Sequence, residues 1–371
     1  MSVISVVMPS HNRAHELLKV LQAYDHQDLR EPFELIAVDD ASTDSTSDLL
    51  NSYQPNNYQL RVERFESNQG PAAARNKGIS IAKSPIILFV GDDIVPANDL
   101  IRGHLTAHRR YKEEEFAILG RVEWPEDMPV NTLMKHIDGI GAEQFSYHYL
   151  QDGQEYDFRH LYTANVSLKR HFIQKQEKWF DTEFKYAALE DAEFAYRLSK
   201  NGLKIIFASA LLGYHYHYHN IWTFSQRQYL TGLMAYVFVK KYPETTHKII
   251  GKRWPYQIYF WRMMGFIKPP SLQNADWLEN EVKHLLSVYE WIPCNTLDIL
   301  YLKVLNYFFY KGLIHGAFGE GDLSQKVNAV YAHRVLVPML RWFIKENMHS
   351  KEPFPNEHGP WVLNRLRTQG M

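Results

Sequence analysis

The chain has 371 residues, 45% hydrophobic and 22% charged, with a formal net charge of −1. That composition is globular, allows one large or two moderate domains, and lacks the bulk positive charge of a nucleic-acid binder. A single cysteine, Cys294, excludes an internal disulfide and a thiolate metal cluster, and it fits a reducing cytoplasm.

In chain order, "MSVISVVMPSHNR" has neither a basic segment nor a long apolar core, so no signal peptide is expected there. "VISVVM" (3–8) predicts a buried strand, and "RAHELLKVLQAY" (13–24) a helix with Leu17, Leu18 and Leu21 on one face. "FELIAVDD" is a second strand ending in acids, and "STDSTSDLLNSY" supplies helix caps and then a helix. "YQLRVERF" is a third strand, "GPAAARNKGISIAK" a helix with Pro in its first turn, and "PIILFV" a fourth strand. Apolar runs without alternation imply strands covered on both faces, hence a mostly parallel sheet with crossover helices. Ligands of such sheets bind beyond the carboxyl ends of the strands. Polar groups collect at three of those ends: Ser10, His11 and Asn12, then Asp39 and Asp40, then Asp92 and Asp93.

Further along, "EFAILGRVEW" is a strand pattern and "RHLYTANVSLKR" a strand or a loop leading into one. "LEDAEFAYRLSKNG" is a helix with an acidic start and Gly202 as its C-cap. "LKIIFASA" and "LLGYHYHYHN" are two short strands, the second placing His215, His217 and His219 on one side. From Ile221 the pattern turns helical, at 221–242 and at about 276–290, 296–313 and 323–346, with 264–276 as the main linker. Charge divides at the same place: 23 Lys/Arg against 31 Asp/Glu before Ile221, and 18 against 11 from there on. No run of about eighteen apolar residues occurs, so no transmembrane helix is expected.

Six stretches, "VVMPSHNR" (6–13), "VDDASTDST" (38–46), "NQGPAAARNKG" (68–78), "GDDIVP" (91–96), "YTANVSLKR" (162–170) and "EDAEFAYRL" (190–198), resemble family 2 glycosyltransferases in the family's own order. The resemblance covers roughly residues 3–230. It implies an α/β GT-A fold, a Rossmann-like nucleotide-binding sheet flanked by helices, with a C-terminal helical region appended. The expected division is a catalytic domain over 1–220, with its nucleotide-sugar half over about 1–96 and its acceptor half over about 97–220, followed by a helical region over 221–371.

By that resemblance the protein is an inverting glycosyltransferase of polysaccharide biosynthesis. It would use a nucleotide-sugar donor, UDP-linked, and a glycan or lipid-linked acceptor. Asp93 is expected to contact Mn²⁺ or Mg²⁺, with Asp92 on the donor's sugar or ribose hydroxyls, or the reverse. Hard cations take oxygen ligands and are often held by one or two carboxylates plus phosphate oxygens. Gly91 stands where the family often has a further acid. Asp39 would accept from uracil N3–H, Asp40 would orient the loop or reach the ribose, and Pro9, Ser10 and Arg13 would line the same pocket. Gly70 would let the backbone approach the ligand, and Arg75 would pair with a phosphate. Asp191 matches the catalytic aspartate, which takes the acceptor's proton, and Glu190 would support it or contact acceptor hydroxyls. A helix N-terminus favours the anion, so Asp191 is expected to stay ionised near neutral pH. His217 is the first candidate to complete the metal shell and His219 the second. Asn165 and His219 are placed in the acceptor wall, with Trp124 as a platform for a sugar's C–H face.

The stretch "GKRWPYQIYFWRMMGFIKPP" (251–270) mixes basic and aromatic residues. It suits a membrane interface, on the inner face for a cytoplasmic protein, and equally a buried helix or a contact between copies. Two alternatives to the transferase reading are a nucleotidyltransferase of sugar phosphates and a non-catalytic module that binds nucleotide-sugars. "MPSHNR" has no glycine, which weighs against the first.

Overall fold

A computed structural model describes residues 2–141, 143–251, 263, 272–294 and 296–347. The chain divides into two units, 1–129 with 142–217 and 130–141 with 218–371.

Among the described residues the first unit is built on nine strands: β1 Ile4–Ser10, β2 Glu34–Asp39, β3 Gln59–Arg64, β4 Ile86–Val90, β5 Ile94–Pro96, β6 Phe116–Glu123, β7 Glu155–Tyr156, β8 Asn165–Lys169 and β9 Lys204–His215. They form one sheet in the order β3-β2-β1-β4-β8-β6-β9-β5, with β7 also on β9. β3, β2, β1 and β4 run parallel, joined by helices α1 Ala14–Asp25, α2 Thr46–Ser52 and α3 Pro71–Ile81. β2 and β4 are buried at every position and β1 at all but one, as continuous apolar runs require. Edge strand β3 alternates polar with apolar residues and is half-exposed. Leu17, Val20, Leu21 and Tyr24 of α1 share a core cluster with Val6 and Met8 of β1 and Leu35 of β2. Full burial of such a side chain contributes about 1.5–3 kcal/mol.

Beyond β4 the sheet turns mixed. β8 lies antiparallel between β4 and β6, and β9 runs parallel to β6. Helices α4 Leu100–Arg110, α5 Thr132–Asp138, α6 Arg170–Gln174 and α7 Glu190–Ser199 follow in chain order, α5 belonging to the second unit. The two predicted strands at 203–220 are one strand, β9. It carries an irregularity opposite Gly120 and Arg121, where its register on β6 jumps from Ala208 to Leu212. The strand stops at His215, so His217 and His219 lie beyond it and the predicted one-sided row of three histidines does not form.

The described part of the second unit comprises α5 and helices α8 Ile221–Lys241, α9 Thr246–Ile249, α10 Leu272–Val288, α11 Leu297–Phe318 and α12 Asp322–Asn347. Asn220 begins α8 with a reciprocal capping box to Thr223. α8 and α11 cross backbone to backbone at two glycines. A Cβ on Gly232 would lie 1.8 Å from the Phe309 carbonyl oxygen, and one on Gly312 would lie 1.9 Å from that of Tyr229. Residues 272–276 of the predicted linker open α10, and 264–271 lie outside the described residues. Apart from Gly251 and Met263, so does the basic aromatic stretch at 251–270. Among the described residues no helix is long and apolar enough to cross a membrane.

Candidate functional site

The parallel strands β1, β2 and β4 bring Ser10, Asp39 and the Gly91–Asp93 turn to one rim of the first unit, and the end of β9 brings the histidines. Asp92 and Asp93 are both 8% exposed. Asp92 Oδ2 accepts from Ser10 Oγ at 2.8 Å. The Arg13 guanidinium spans the acid pair, with Nε 3.5 Å from Asp92 Oδ1 and Nη2 3.3 Å from Asp93 Oδ2. The same Asp93 oxygen is 3.0 Å from His217 Nδ1 and 3.5 Å from His215 Nε2. Burial and then the charge of Asp93 push Asp92 up to about 7, against Arg13 and Ser10. Burial also raises Asp93, but His215, His217 and Arg13 outweigh it and hold its carboxyl well below the ordinary range.

Ligand atoms of Asp93, His215 and His217 lie within 4.8 Å of one another, a set that fits a divalent cation. One carboxylate with two imidazoles suits a transition metal such as Mn²⁺ better than Mg²⁺, which prefers oxygen alone. Asp92 is outside this group, and His215, which the alternating pattern did not single out, is inside it. Gly91 has a local reason, because a Cβ there would sit 2.8 Å from Asp93 Oδ1. A third acid at that position would displace the carboxylate that the imidazoles face.

At the end of β2, Asp39 is fully buried. Its Oδ1 accepts from the Ser42 N–H at 2.9 Å, and its Oδ2 pairs with Arg64. Arg64, unforeseen from the sequence, stands opposite Asp39 in the β2–β3 register and also donates to the Ser42 carbonyl at 2.9 Å. Both Asp39 oxygens thus have protein partners. Asp40 accepts from the N–H groups of Gln69 at 2.7 Å and Gly70 at 2.8 Å, so it orients the loop before α3. Gly70 forms the N-cap of α3 with φ 85°, and Pro9 is half-buried one residue before the end of β1. Three non-glycine residues with positive φ, Asn12, Ala41 and Leu189, stand at the three turns that present site residues. Such left-handed turns cost free energy and persist only when neighbours hold them. The Asn12 side chain does so by accepting from the Thr43 N–H at 2.8 Å, tying the β1 turn to the β2 turn.

Leu189 delivers Glu190 and Asp191 at the start of α7. Glu190 is buried and receives Arg75 Nη1 at 2.8 Å, so the guanidinium expected to meet a phosphate meets a carboxylate instead. Asp191 is half-buried; its Oδ1 accepts from the Ala192 N–H at 2.8 Å, and the Thr163 N–H is near enough to favour its anion. Burial and the neighbouring Glu190 charge push its carboxyl up to about 7, against Arg75 and those backbone donors. The expectation that the helix terminus keeps it ionised at neutral pH is therefore corrected. Desolvation and a like charge outweigh a helix-end effect of about 0.3–1 kcal/mol.

The predicted acceptor residues fare differently. Asn165 is fully buried: its amide donates to the carbonyls of Arg121 at 3.1 Å and Leu211 at 2.9 Å, and its Oδ1 faces His104 Nε2 at 2.9 Å. It fills the β6–β9 irregularity rather than forming a wall. Trp124 stacks on the His215 ring, with centroids 5.0 Å apart and planes at 10°, so one of its faces is already covered. His219 belongs to the second unit, where it is buried, packs against Phe224 at 5.2 Å and accepts at its carbonyl from Asn131 at 2.8 Å.

Residues 5–177 match the model of glycosyl transferase family 2. The chain is 33% identical over 116 residues to the uncharacterized glycosyltransferase YfnE of Bacillus subtilis (strain 168), a match covering 31% of this chain and 29% of that protein. It is 22% identical over 331 residues to the dolichyl N-acetyl-alpha-D-glucosaminyl phosphate 3-beta-D-2,3-diacetamido-2,3-dideoxy-beta-D-glucuronosyltransferase of Methanococcus voltae, covering 85% of this chain and 98% of that one. Among solved structures, the mannosyltransferase PcManGT from Pyrobaculum calidifontis, in complex with GDP-Man and Mn²⁺, superposes with a TM-score of 0.55 at 14% identity, covering 86% of this chain and 88% of that one. At that identity the likeness shows the fold, which is GT-A, as the resemblance of the six stretches implied.

Proposed function

We propose that this chain, whose residues 5–177 form a family 2 glycosyltransferase domain, moves a sugar with inversion from a UDP-sugar to a hydroxyl of a glycan or lipid-linked acceptor. The observation that carries the reading is the set of polar groups at the strand ends: Arg13, Asp92, Asp93, His215 and His217, gathered where a diphosphate would lie. Asp191 takes the proton from the acceptor hydroxyl. The freed oxygen attacks the anomeric carbon, and the bond from that carbon to the diphosphate oxygen breaks with its electrons leaving on the diphosphate. A base poised near the working pH suits this step, and Asp191 at about 7 has that property. A divalent cation, Mn²⁺ or Mg²⁺, held by Asp93, His215 and His217 would offset charge on the leaving diphosphate. Arg13, once released from the acids, pairs with a phosphate oxygen of the bound donor, a pairing its planar fork favours. Asp39 and Arg64 form the floor under the base and ribose.

Gly91, where the family often has a further acid, leaves room for Asp93, and two imidazoles supply the donors that a further acid would have supplied. The donor groups and Asp191 all lie in the first unit, so catalysis is assigned to it. The helical unit is left for the acceptor, a membrane surface or a second copy. The test is calorimetry with UDP and GDP in the presence of Mn²⁺, followed by donor-hydrolysis and transfer assays on wild type and Asp191→Asn. Binding retained and turnover lost in the variant is the expected pair. Absence of nucleotide binding, or full turnover by Asp191→Asn, overturns the reading.

A further inference from the structure

The cation expected in this fold is commonly held by few protein groups, with the nucleotide's phosphates supplying the rest. The geometry around Asp93 is different. Two ligand atoms about 2.1 Å from one ion are about 3.0 Å apart at a right angle and about 3.4 Å apart at a tetrahedral angle. Asp93 Oδ2 already stands 3.0 Å from His217 Nδ1 and 3.5 Å from His215 Nε2. The backbone fixes this spacing. β5 pairs antiparallel with β9 so that Ile94 faces His215, and the Tyr216 N–H donates to the Asp93 carbonyl at 2.8 Å. Imidazole orientation is fixed as well. Trp124, just past the end of β6, lies flat on His215 at 5.0 Å, and Phe145 approaches the same ring at 6.2 Å. The Arg13 guanidinium, 3.3 Å from the shared Asp93 oxygen, opposes a cation there.

We infer that Asp93, His215 and His217 are a preassembled site that takes a transition-metal dication without nucleotide, with Trp124 as the positioning residue that holds His215 in place and Arg13 as the internal cation the metal displaces. This rests on the reading above that the rim takes a divalent cation. It goes further in making metal loading independent of the donor and in giving Trp124 a role other than a sugar platform.

The experiment is titration of the metal-free full chain with Mn²⁺ in the absence of nucleotide, by calorimetry and by pulsed electron paramagnetic resonance of the bound ion. Wild type binds one Mn²⁺ at micromolar concentration, shows nitrogen couplings from two imidazoles, and is not displaced by an equal concentration of Mg²⁺. Trp124→Ala binds about tenfold or more weakly and loses one nitrogen coupling, the usual size of an effect on a ligand's support. Trp124→Phe, which keeps a ring to stack, recovers most of both. Arg13→Gln binds several-fold more tightly, because the competing charge is gone. The opposite directions of the alanine and glutamine variants separate positioning from general loosening, which would weaken both. Mn²⁺ binding that appears only with UDP present, a single nitrogen coupling in wild type, an unchanged affinity in Trp124→Ala, or weaker binding by Arg13→Gln overturns the inference. Donor hydrolysis is measured on the same samples. Tight Mn²⁺ binding without any hydrolysis would sink the transferase reading and leave this one standing.

Discussion

Glu190→Gln offers the sharpest test of the base. Asp191 owes its value near 7 to burial first and the Glu190 charge second, with Arg75 pulling the other way. The substitution removes the like charge and leaves the Arg75 guanidinium, now held by a neutral amide, closer to uncompensated. Both changes favour the Asp191 anion, so its pKa falls. Neighbouring charges shift a carboxyl by about 1–3 units. With a fall of about one unit, the ionised fraction at pH 6 rises from about a tenth to about a half, while at pH 8 it barely changes. The rate at pH 6 relative to pH 8 therefore rises about fivefold. The assay is donor hydrolysis or transfer from pH 5 to pH 9, normalised to the plateau, with Asp191→Asn as the blank. The plateau itself falls if Glu190 also places the base. An acid limb that stays put or moves to higher pH refutes the electrostatic account. Stability moves consistently. Wild-type Asp191 binds its proton more tightly folded than unfolded, so it costs stability as pH rises from about 4 through 7, and the variant narrows that window.

Three other outcomes follow from the packing. Asp92→Asn, in metal-free buffer with chelator, raises the melting temperature most at pH 8 and least below about pH 4, because Asp92 titrates at about 7 folded and about 4 unfolded, so its cost grows across that window to about 2 kcal/mol or more. Asn165→Leu leaves the Arg121 and Leu211 carbonyls and His104 without their partner and lowers stability by about 2–4 kcal/mol in a denaturant titration. A change in acceptor KM with no loss of stability would return Asn165 to the acceptor wall. Gly312→Leu forces α8 and α11 apart, costs about 3 kcal/mol or more, and raises amide exchange along both helices. Undiminished protection there would mean that the crossing is looser than drawn.

The parallel half of the sheet was legible because continuous apolar runs announce buried parallel strands, and their ends place Ser10, Asp39, Asp92 and Asp93 without further assumptions. What stayed hidden depends on register and partners rather than on residue type. Arg64 acquires meaning because β3 pairs in parallel with β2 and sets it opposite Asp39. The alternation of "YHYHYH" reads as a strand, yet pairing ends at His215 once the three-residue strand β5 runs out. With the strand ended at His215, both His215 and His217 approach one Asp93 oxygen, where a continued strand would splay them. Trp124 looks like a free platform until its partner ring is located. Asn165 sits in a motif that reads as functional, and no sequence signal marks the three-residue excess of β9 that its amide fills.

Charge pairing within the first unit supports the role proposed for Asp191. Asp39 has Arg64, Glu190 has Arg75, and Asp93 has His215, His217 and Arg13. Asp191 has no ion pair of its own among the described residues, and its carboxyl accepts from the Ala192 N–H. Arg75 is near enough to lower its pKa, but the guanidinium is bonded to Glu190. Had Arg75 bonded Asp191 directly, the carboxyl would be held as a stable anion with little tendency to take a proton. An acid that only anchors structure gains from such a partner, whereas a base loses driving force by it. Glu190 thus draws the cation away and adds its own negative charge beside Asp191. Both effects act in one direction, towards a carboxylate that can accept a proton near neutral pH.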